Sequence, residues 1–314
     1  DTYTGSYAAL SAGSITWPAT GSDLKGNVAD LWHTALNGRG LFFSAEDPKT
    51  LSDGMAEIIN NIVGRSSSAS AIAAASRQLS TGTQIFQASF DSGNWTRELE
   101  AFELDEKGKL GASLWKASAK IVKFTDGTRN IKTYNGSAGV DFLWDSGISS
   151  AQQAILGSKD VVDYLRGDQS KEQSKTGGIY RTRVSLLGDI VNSDPLHVSV
   201  DNFGYDKLTG TEGTDYVTYL DGKTSKTPVL YTGANDGMLH AFKAKDGTEL
   251  FAYVPGLIYG NLVELTKPAY THKFYVDGTP AVSDVYYAST WKTVLVAPLG
   301  AGGRGVFALN VSTP

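Results

Sequence analysis

The apolar positions of this chain fall into short runs broken by glycine turns. In VLYTGANDGMLHAFKAKDGTEL, residues 229 to 250, an apolar run meets Asn-Asp-Gly, resumes, and meets Lys-Asp-Gly. Runs of this length bounded by turn residues predict strands. Asn235, Asp236 and Gly237 predict the turn itself, because Asn and Asp tolerate the left-handed region and Gly prefers it. The order recurs. LHAFKAKDG (239–247) aligns with LEAFELDEKG (99–108) and VFALNV (306–311), which matches Ala241 with Ala101 and Ala308. Before each copy lies another apolar run and a Gly turn: VLYTGANDGM, QIFQASFDSGNW and TVLVAPLGAGGRG. After the first two stand a charged Gly turn and an aromatic residue, Phe251 and Trp115 respectively. A further element, DIVNSDPLHVSV (189–200) and VDGTPAVSDVYY (276–287), precedes two copies, with Pro195 and Pro280 at expected strand starts. Strand, turn, strand, turn, strand is a β-meander, and a meander repeated about an axis is a propeller blade. Three units are recognisable, against about four to eight in a closed propeller. The expectation is a mainly β chain with an incomplete propeller over 81–314.

Helical spacing appears in two places. Leu51, Met55, Ile58, Ile59 and Ile62 share one face after Asp47 as N-cap and Pro48 as first helical residue, and Gly64 stops the run. Such a helix covers a sheet, yet few strands precede it, so residues 1–64 read as the remnant of an α/β unit whose sheet lies upstream. GISSAQQAILGSKDVVDYLRGD, inside an insertion at about 121–183, predicts two short helices broken near Gly157. Residues 65–80 are rich in Ser and Ala and predict a linker. The chain opens on Asp1 with no targeting segment in view, and we read it as an internal piece of a longer precursor.

Composition narrows the function classes. Hydrophobic residues make up 41% with no run long enough to cross a bilayer, so no membrane span is expected. The 35 glycines favour a turn-rich β protein. The formal charge is −5, and no basic stripe exists for a phosphate backbone, which excludes nucleic acid as the expected partner. The absence of cysteine excludes disulfides, thiolate metal sites and cysteine nucleophiles.

Candidate chemistry is sparse. GAGGRG (300–305) has the dinucleotide-loop spacing, but a β-like VFALNV follows where a helix is required, so it predicts a hairpin turn. His33, His197, His240 and His272 show no metal-ligand spacing, and His240 is expected to be packed and hydrogen-bonded within a strand. Asp236 as a catalytic acid or metal ligand is the alternative to its turn role. Asp201, Asn202, Asp206, Asp215 and Asp221 cluster loosely in a segment read as loops, a weak calcium candidate beside the reading as solvated turns. Arg166-Gly167-Asp168 spells an integrin-type adhesion tripeptide, but it also closes a predicted helix, where Gly is the expected stop and Arg suits the C-terminal dipole. No acid, base and nucleophile set has catalytic spacing.

Taken together, DLWHTALNGRGLFFSAEDP, YLRGD, LLGDIVNSDP, YTGANDGMLHAF, YTHKFYVDGTP and LGAGGRGVFALNV resemble, in order, the PilC/PilY1 family of type IV pilus proteins. The resemblance runs over about 28–314. It implies a quinoprotein-like β-propeller preceded by a von Willebrand A domain, of which residues 1–64 would be the end. It implies a non-enzymatic role at the pilus tip, in assembly, retraction control, twitching motility and adhesion to host or abiotic surfaces, with virulence as a consequence. Minor pilins are the implied partners, and the implied location is the cell surface, or the outer membrane or periplasm of a Gram-negative bacterium. The family's Asp-x-Ser-x-Ser metal site and its acidic calcium loop are absent from this sequence, so no cofactor is expected here, and the resemblance leaves calcium as an option for the full-length protein only. A generic propeller interaction scaffold is the alternative. A quinone-dependent dehydrogenase is the enzymatic rival. There an Ala-x-Asp-x-x-Thr-Gly turn and a later Trp lock neighbouring blades, whereas here Lys243 takes the Asp place and Phe251 the Trp place.

Overall fold

A computed structural model describes residues 129–314 throughout. Before them it describes 9, 12–14, 16–17, 19–22, 26–37, 72–74, 83–91, 96–104, 110–122 and 124. The chain forms two compact units, Asp1–Ser66 and Ser67–Pro314. In the first, helix α1 (Gly26–Asn37) is anchored by Asn27, whose amide donates to Gly21 O at 2.8 Å and accepts from Gly21 N–H at 3.1 Å. Trp17 stacks on His33 at 4.1 Å between ring centroids. The helix expected over 47–64, on which the von Willebrand A reading rests, lies outside the described residues.

The second unit is built from three antiparallel meanders. The first sheet is β1 (Ile72–Ala74), β2 (Gln84–Asp91), β3 (Thr96–Leu104) and β4 (Leu110–Lys116). The second contains β7 (Leu196–Val198), β8 (Val229–Ala234), β9 (Met238–Lys243) and β10 (Glu249–Val254). The third is β11 (Ala281–Tyr287), β12 (Thr290–Pro298) and β13 (Val306–Asn310). Their registers coincide. Across the first sheet run Ala73, Phe86, Ala101 and Trp115. Across the second run Leu196, Tyr231, Ala241 and Phe251, and across the third Ala281, Val296 and Ala308. Ala101, Ala241 and Ala308 thus occupy the same place in three copies of one meander. Pro195 and Pro280 stand immediately before β7 and β11, where a missing N–H costs no ladder bond. Among the described residues the three sheets do not close a ring.

Packing explains why the second repeat is so apolar. Strands β8 and β9 are buried at every position but one. Alternate side chains leave opposite faces of a strand. Leu230 and Phe242 pack with Phe86, Leu99 and Trp115 of the first sheet. Tyr231, Leu239 and Ala241 share a core with Leu295 and Ala297 of the third. Ala101 and Ala241 are fully buried, where a small side chain lets neighbouring sheets approach closely, whereas Ala308 is exposed. Trp115 fastens the first pair: its Nε1–H donates to Ala244 O at 3.1 Å, and its ring lies where a Cβ on Gly247 would come within 2.5 Å. Trp115 holds in the first sheet the place that Phe251 holds in the second, and it docks on the second sheet's Lys-Asp-Gly turn.

Three expectations need correction. The 65–80 segment contains strand β1, whose Ile72–Ala74 backbone pairs with Ile85–Gln87, so it is not linker throughout. The 121–183 insertion holds the two expected helices, α2 (Ser150–Leu156) and α3 (Lys159–Arg166), with Gly157 between them at φ +85°. It also supplies strands β5 (Ile131–Tyr134) and β6 (Gly139–Asp141), and β5 pairs in parallel with β10 to extend the second sheet to six strands. Finally, the acidic segment read as loops contains helix α4 (Thr211–Lys223).

Candidate functional site

The turn between β8 and β9 sits at the centre of a polar constellation. Asp236 accepts from the N–H of Met238 at 3.1 Å, as a turn residue does, and also from Gly188 N–H at 2.9 Å. Its carboxylate meets His240 Nε2 at 3.1 Å, and His240 Nδ1 meets Glu249 Oε1 at 2.8 Å. Arg129, from the insertion, grips Glu249 with Nε and Nη2 at 2.7 and 2.9 Å. His240 is fully buried. Burial pulls its imidazole pKa down, but Asp236 and Glu249 outweigh that and lift it to about 9. Burial pushes Glu249 up, yet Arg129 and His240 hold it at about 2. The chain Arg129–Glu249–His240–Asp236 therefore alternates in charge and ties insertion, sheet and the 188 loop together.

A second chain lies beside it. Asn235 donates its side-chain amide to Asp189 Oδ2 at 2.9 Å and its backbone N–H to Asp189 O at 2.9 Å. His272 Nε2 reaches the same Asp189 Oδ2 at 2.8 Å, and Asn235 Oδ1 accepts from Tyr275 N–H at 2.9 Å. The equivalent pre-strand loops also bond to each other: Asn192 donates from its backbone and its amide to the two oxygens of Asp277, at 3.1 and 2.6 Å. The glycines here are imposed by close approach. A Cβ on Gly188 would lie 2.2 Å from Asp236 N, and one on Gly233 2.4 Å from Val276 O.

These loops wall a cavity of about 340 Å³. Asp189, Asn235, Asp236, His272, Arg181 and Tyr270 are among the residues that line it. Among the described residues no group of three or more His, Asp or Glu side chains is arranged to hold a metal ion. The five acidic-segment residues are dispersed: Asp201 caps Ser199 N–H, Asn202 caps Gly204 N–H, Asp206 lies in a short 3-10 turn, and Asp215 and Asp221 ride on α4.

The chain matches the PilY1 beta-propeller domain over residues 187–314. Over its whole length it is 37% identical to the type IV pilus biogenesis factor PilY1 of Pseudomonas aeruginosa strain PAK, covering 29% of that protein. It belongs to the PilY1 family. A PilY1 homolog from Xylella fastidiosa strain Temecula1 is 34% identical over 95% of this chain and 24% of its own. A crystal structure of the Pseudomonas aeruginosa PilY1 C-terminal domain is 41% identical over 31% of this chain and 18% of that one, with a TM-score of 0.25. The chain thus spans less than a third of the curated relatives it matches.

In this PilY1-family chain the Arg-Gly-Asp tripeptide is not displayed. Arg166 is 2% exposed, and its guanidinium donates to Phe142 O at 2.9 Å and Arg129 O at 3.2 Å. Gly167 ends α3 in the left-handed region at φ +114°, and Asp168 accepts from Ser170 N–H and its hydroxyl at 2.8 Å each. The adhesion candidate is corrected to a helix stop whose arginine welds the insertion. GAGGRG likewise forms the β12–β13 connection, with a 3-10 turn over Gly300–Gly302. Sequence reasoning missed Glu249, Arg129, Asp189 and Arg181. Glu249 alone had a local signal, standing within the Lys-Asp-Gly-Thr-Glu turn; the others are brought in from 46 to 120 residues away.

Proposed function

We propose that this chain is a non-catalytic, interaction-bearing portion of a type IV pilus biogenesis factor, acting at the cell surface or envelope. The match to PilY1 proteins along the whole chain carries the reading. The meander repeat supports it, since stacked sheets with loop-built ends form a scaffold that presents surfaces. The finer roles we assign are support of pilus assembly, opposition to retraction and contact with surfaces through the pilus tip, with minor pilins as partners. The dispersed acids and the internally bonded His240 and His272 support a binding rather than a catalytic reading.

The test uses a type IV-piliated host lacking its own PilY1 and expressing the full-length protein that contains this chain. With residues 187–314 deleted, exported protein should persist while surface pili and twitching are lost. Pili should return when retraction is also disabled. Normal piliation by the deleted protein would overturn the proposal. Dye-linked alcohol oxidation with added quinone and calcium should stay at background, and turnover removed by a single substitution would replace the binding reading with an enzymatic one.

A further inference from the structure

We propose that the cavity beside the β8–β9 turn is a carboxylate-binding site anchored by Arg181, taking an acidic group of a partner segment. The inference rests on this cavity alone and holds whether or not the pilus reading does. Arg181 is fixed from three sides. Its N–H donates to Thr266 O at 2.8 Å, its Nε donates to Leu265 O at 3.1 Å, and its guanidinium lies over the Tyr270 ring at 4.2 Å. Stacking and the Nε bond set the plane of the guanidinium, whose side chain also hydrogen-bonds with Tyr164 and whose terminal N–H groups we assign to a ligand as well.

The neighbouring charges are spoken for. Arg183, two residues on, pairs with Glu172 at 2.7 Å and donates to Tyr164 O and Asp168 O. Asp236 is engaged by His240 and two backbone N–H groups. Asp189 is engaged by Asn235 and His272. Among the described residues, Asp236 and Glu172 have cationic partners and Asp189 is held by hydrogen bonds, while no ion pair joins Arg181 to a carboxylate, which leaves it as the cation offered to a ligand. A planar fork of N–H donors matches a carboxylate in bidentate geometry. At about 340 Å³ the space suits one or two residues and lies near the lower end of ligand cavities, about 300 Å³. Val184, 85% exposed on the loop that forms one wall, gives an apolar rest for the residue beside the acid.

The experiment is NMR titration of the isotopically labelled 314-residue chain with three capped peptides. Acetyl-Gly-Glu-Leu-amide carries a side-chain carboxylate, acetyl-Gly-Gln-Leu carries only a terminal one, and acetyl-Gly-Gln-Leu-amide carries none. We expect saturable shifts of amides within 182–189 and 270–273 with at least one carboxylate peptide, and none with the third. Which peptide binds tells a side-chain acid from a chain terminus. Arg181→Gln should abolish the response, and Arg181→Lys should weaken it about tenfold by losing the fork. Arg304→Gln, on the exposed β12–β13 loop, should leave it unchanged. Equal response to all three peptides, no response at millimolar concentration, or a response that survives in a folded Arg181→Gln protein would overturn the assignment.

Discussion

At the residue scale, His240 makes the sharpest prediction. Its folded pKa, about 9, lies above the ordinary 6.5, so its contribution to stability is complete below the ordinary value and is lost as pH rises through about 9. Glu249, held at about 2, contributes above the ordinary carboxylate value and loses that contribution as pH falls towards about 2. Stability measured by urea unfolding should therefore be flat only from about pH 5 to 6, fall as pH rises from about 6.5 to 9, and fall again as pH drops from about 4.5 towards 2. His240→Gln should flatten the alkaline limb and lower stability at pH 7 by about 2–4 kcal/mol, because it leaves two buried carboxylates with one cation between them. An alkaline limb unchanged in the variant would refute the assignment. Arg166→Ala should likewise cost about 2–4 kcal/mol by unfolding, since the guanidinium serves two buried carbonyls. Integrin-type ligands should not discriminate the variant from its parent in any condition where both are folded. Asp236 shows what the sequence could tell at this scale. The Asn-Asp-Gly turn was legible because its chemistry is local, whereas the N–H of Gly188, 48 positions earlier, became its partner only through folding.

At the scale of elements, the contact between Trp115 and Gly247 decides how the first two sheets meet. Gly247 has φ +73°, and any Cβ there would strike the indole. Gly247→Ala should destabilise by about 2–4 kcal/mol from strain and overlap together, and Trp115→Ala by about 3–5 kcal/mol from the cavity it leaves. The double variant should cost less than the sum, because removing the indole makes room for the methyl group. Strict additivity in thermal or urea unfolding would show that the two positions do not meet. The Ala repeat was legible because each meander carries its own turn glycines and apolar runs. The parallel pairing of β5 with β10 was not, since Ile131 and Ala252 are partners across 121 positions and a four-residue strand carries too little pattern to name its neighbour. Helix α4 was missed for another reason. Its Thr, Gly and Asp residues have weak helical preference, and it is secured by tertiary bonds: Lys223 pairs with Asp284, and Tyr216 donates to Asp284 at 2.7 Å.

At the scale of the molecule, both buried clusters found among the described residues draw on the Ser67–Pro314 unit. Residues 67–314 expressed alone should therefore unfold cooperatively, with a midpoint within a few degrees of the whole chain's β-sheet transition by circular dichroism. A broad, non-cooperative melt would mean that the first unit supplies stability these clusters do not account for. The membership of this chain in the PilY1 family follows from motifs spread over nearly its whole length, which is why it is legible in the order of the amino acids.

The sequence alone determined the meander repeat, the positions of its turns and the three matched alanines, because these depend on residues within about 25 positions of one another. It also determined the two insertion helices, through Ser and Gly stops that act locally. Tertiary structure decided the rest. It turned Arg166 inward and drew a linker-like segment into the first sheet as β1. It also set Arg129 and Glu249 on either side of one ion pair and gathered Asp189, Asp236, His272 and Arg181 around one cavity. Those outcomes rest on long-range burial and charge compensation, and a buried ion must find its counter-charge wherever the fold brings one, which no local pattern records.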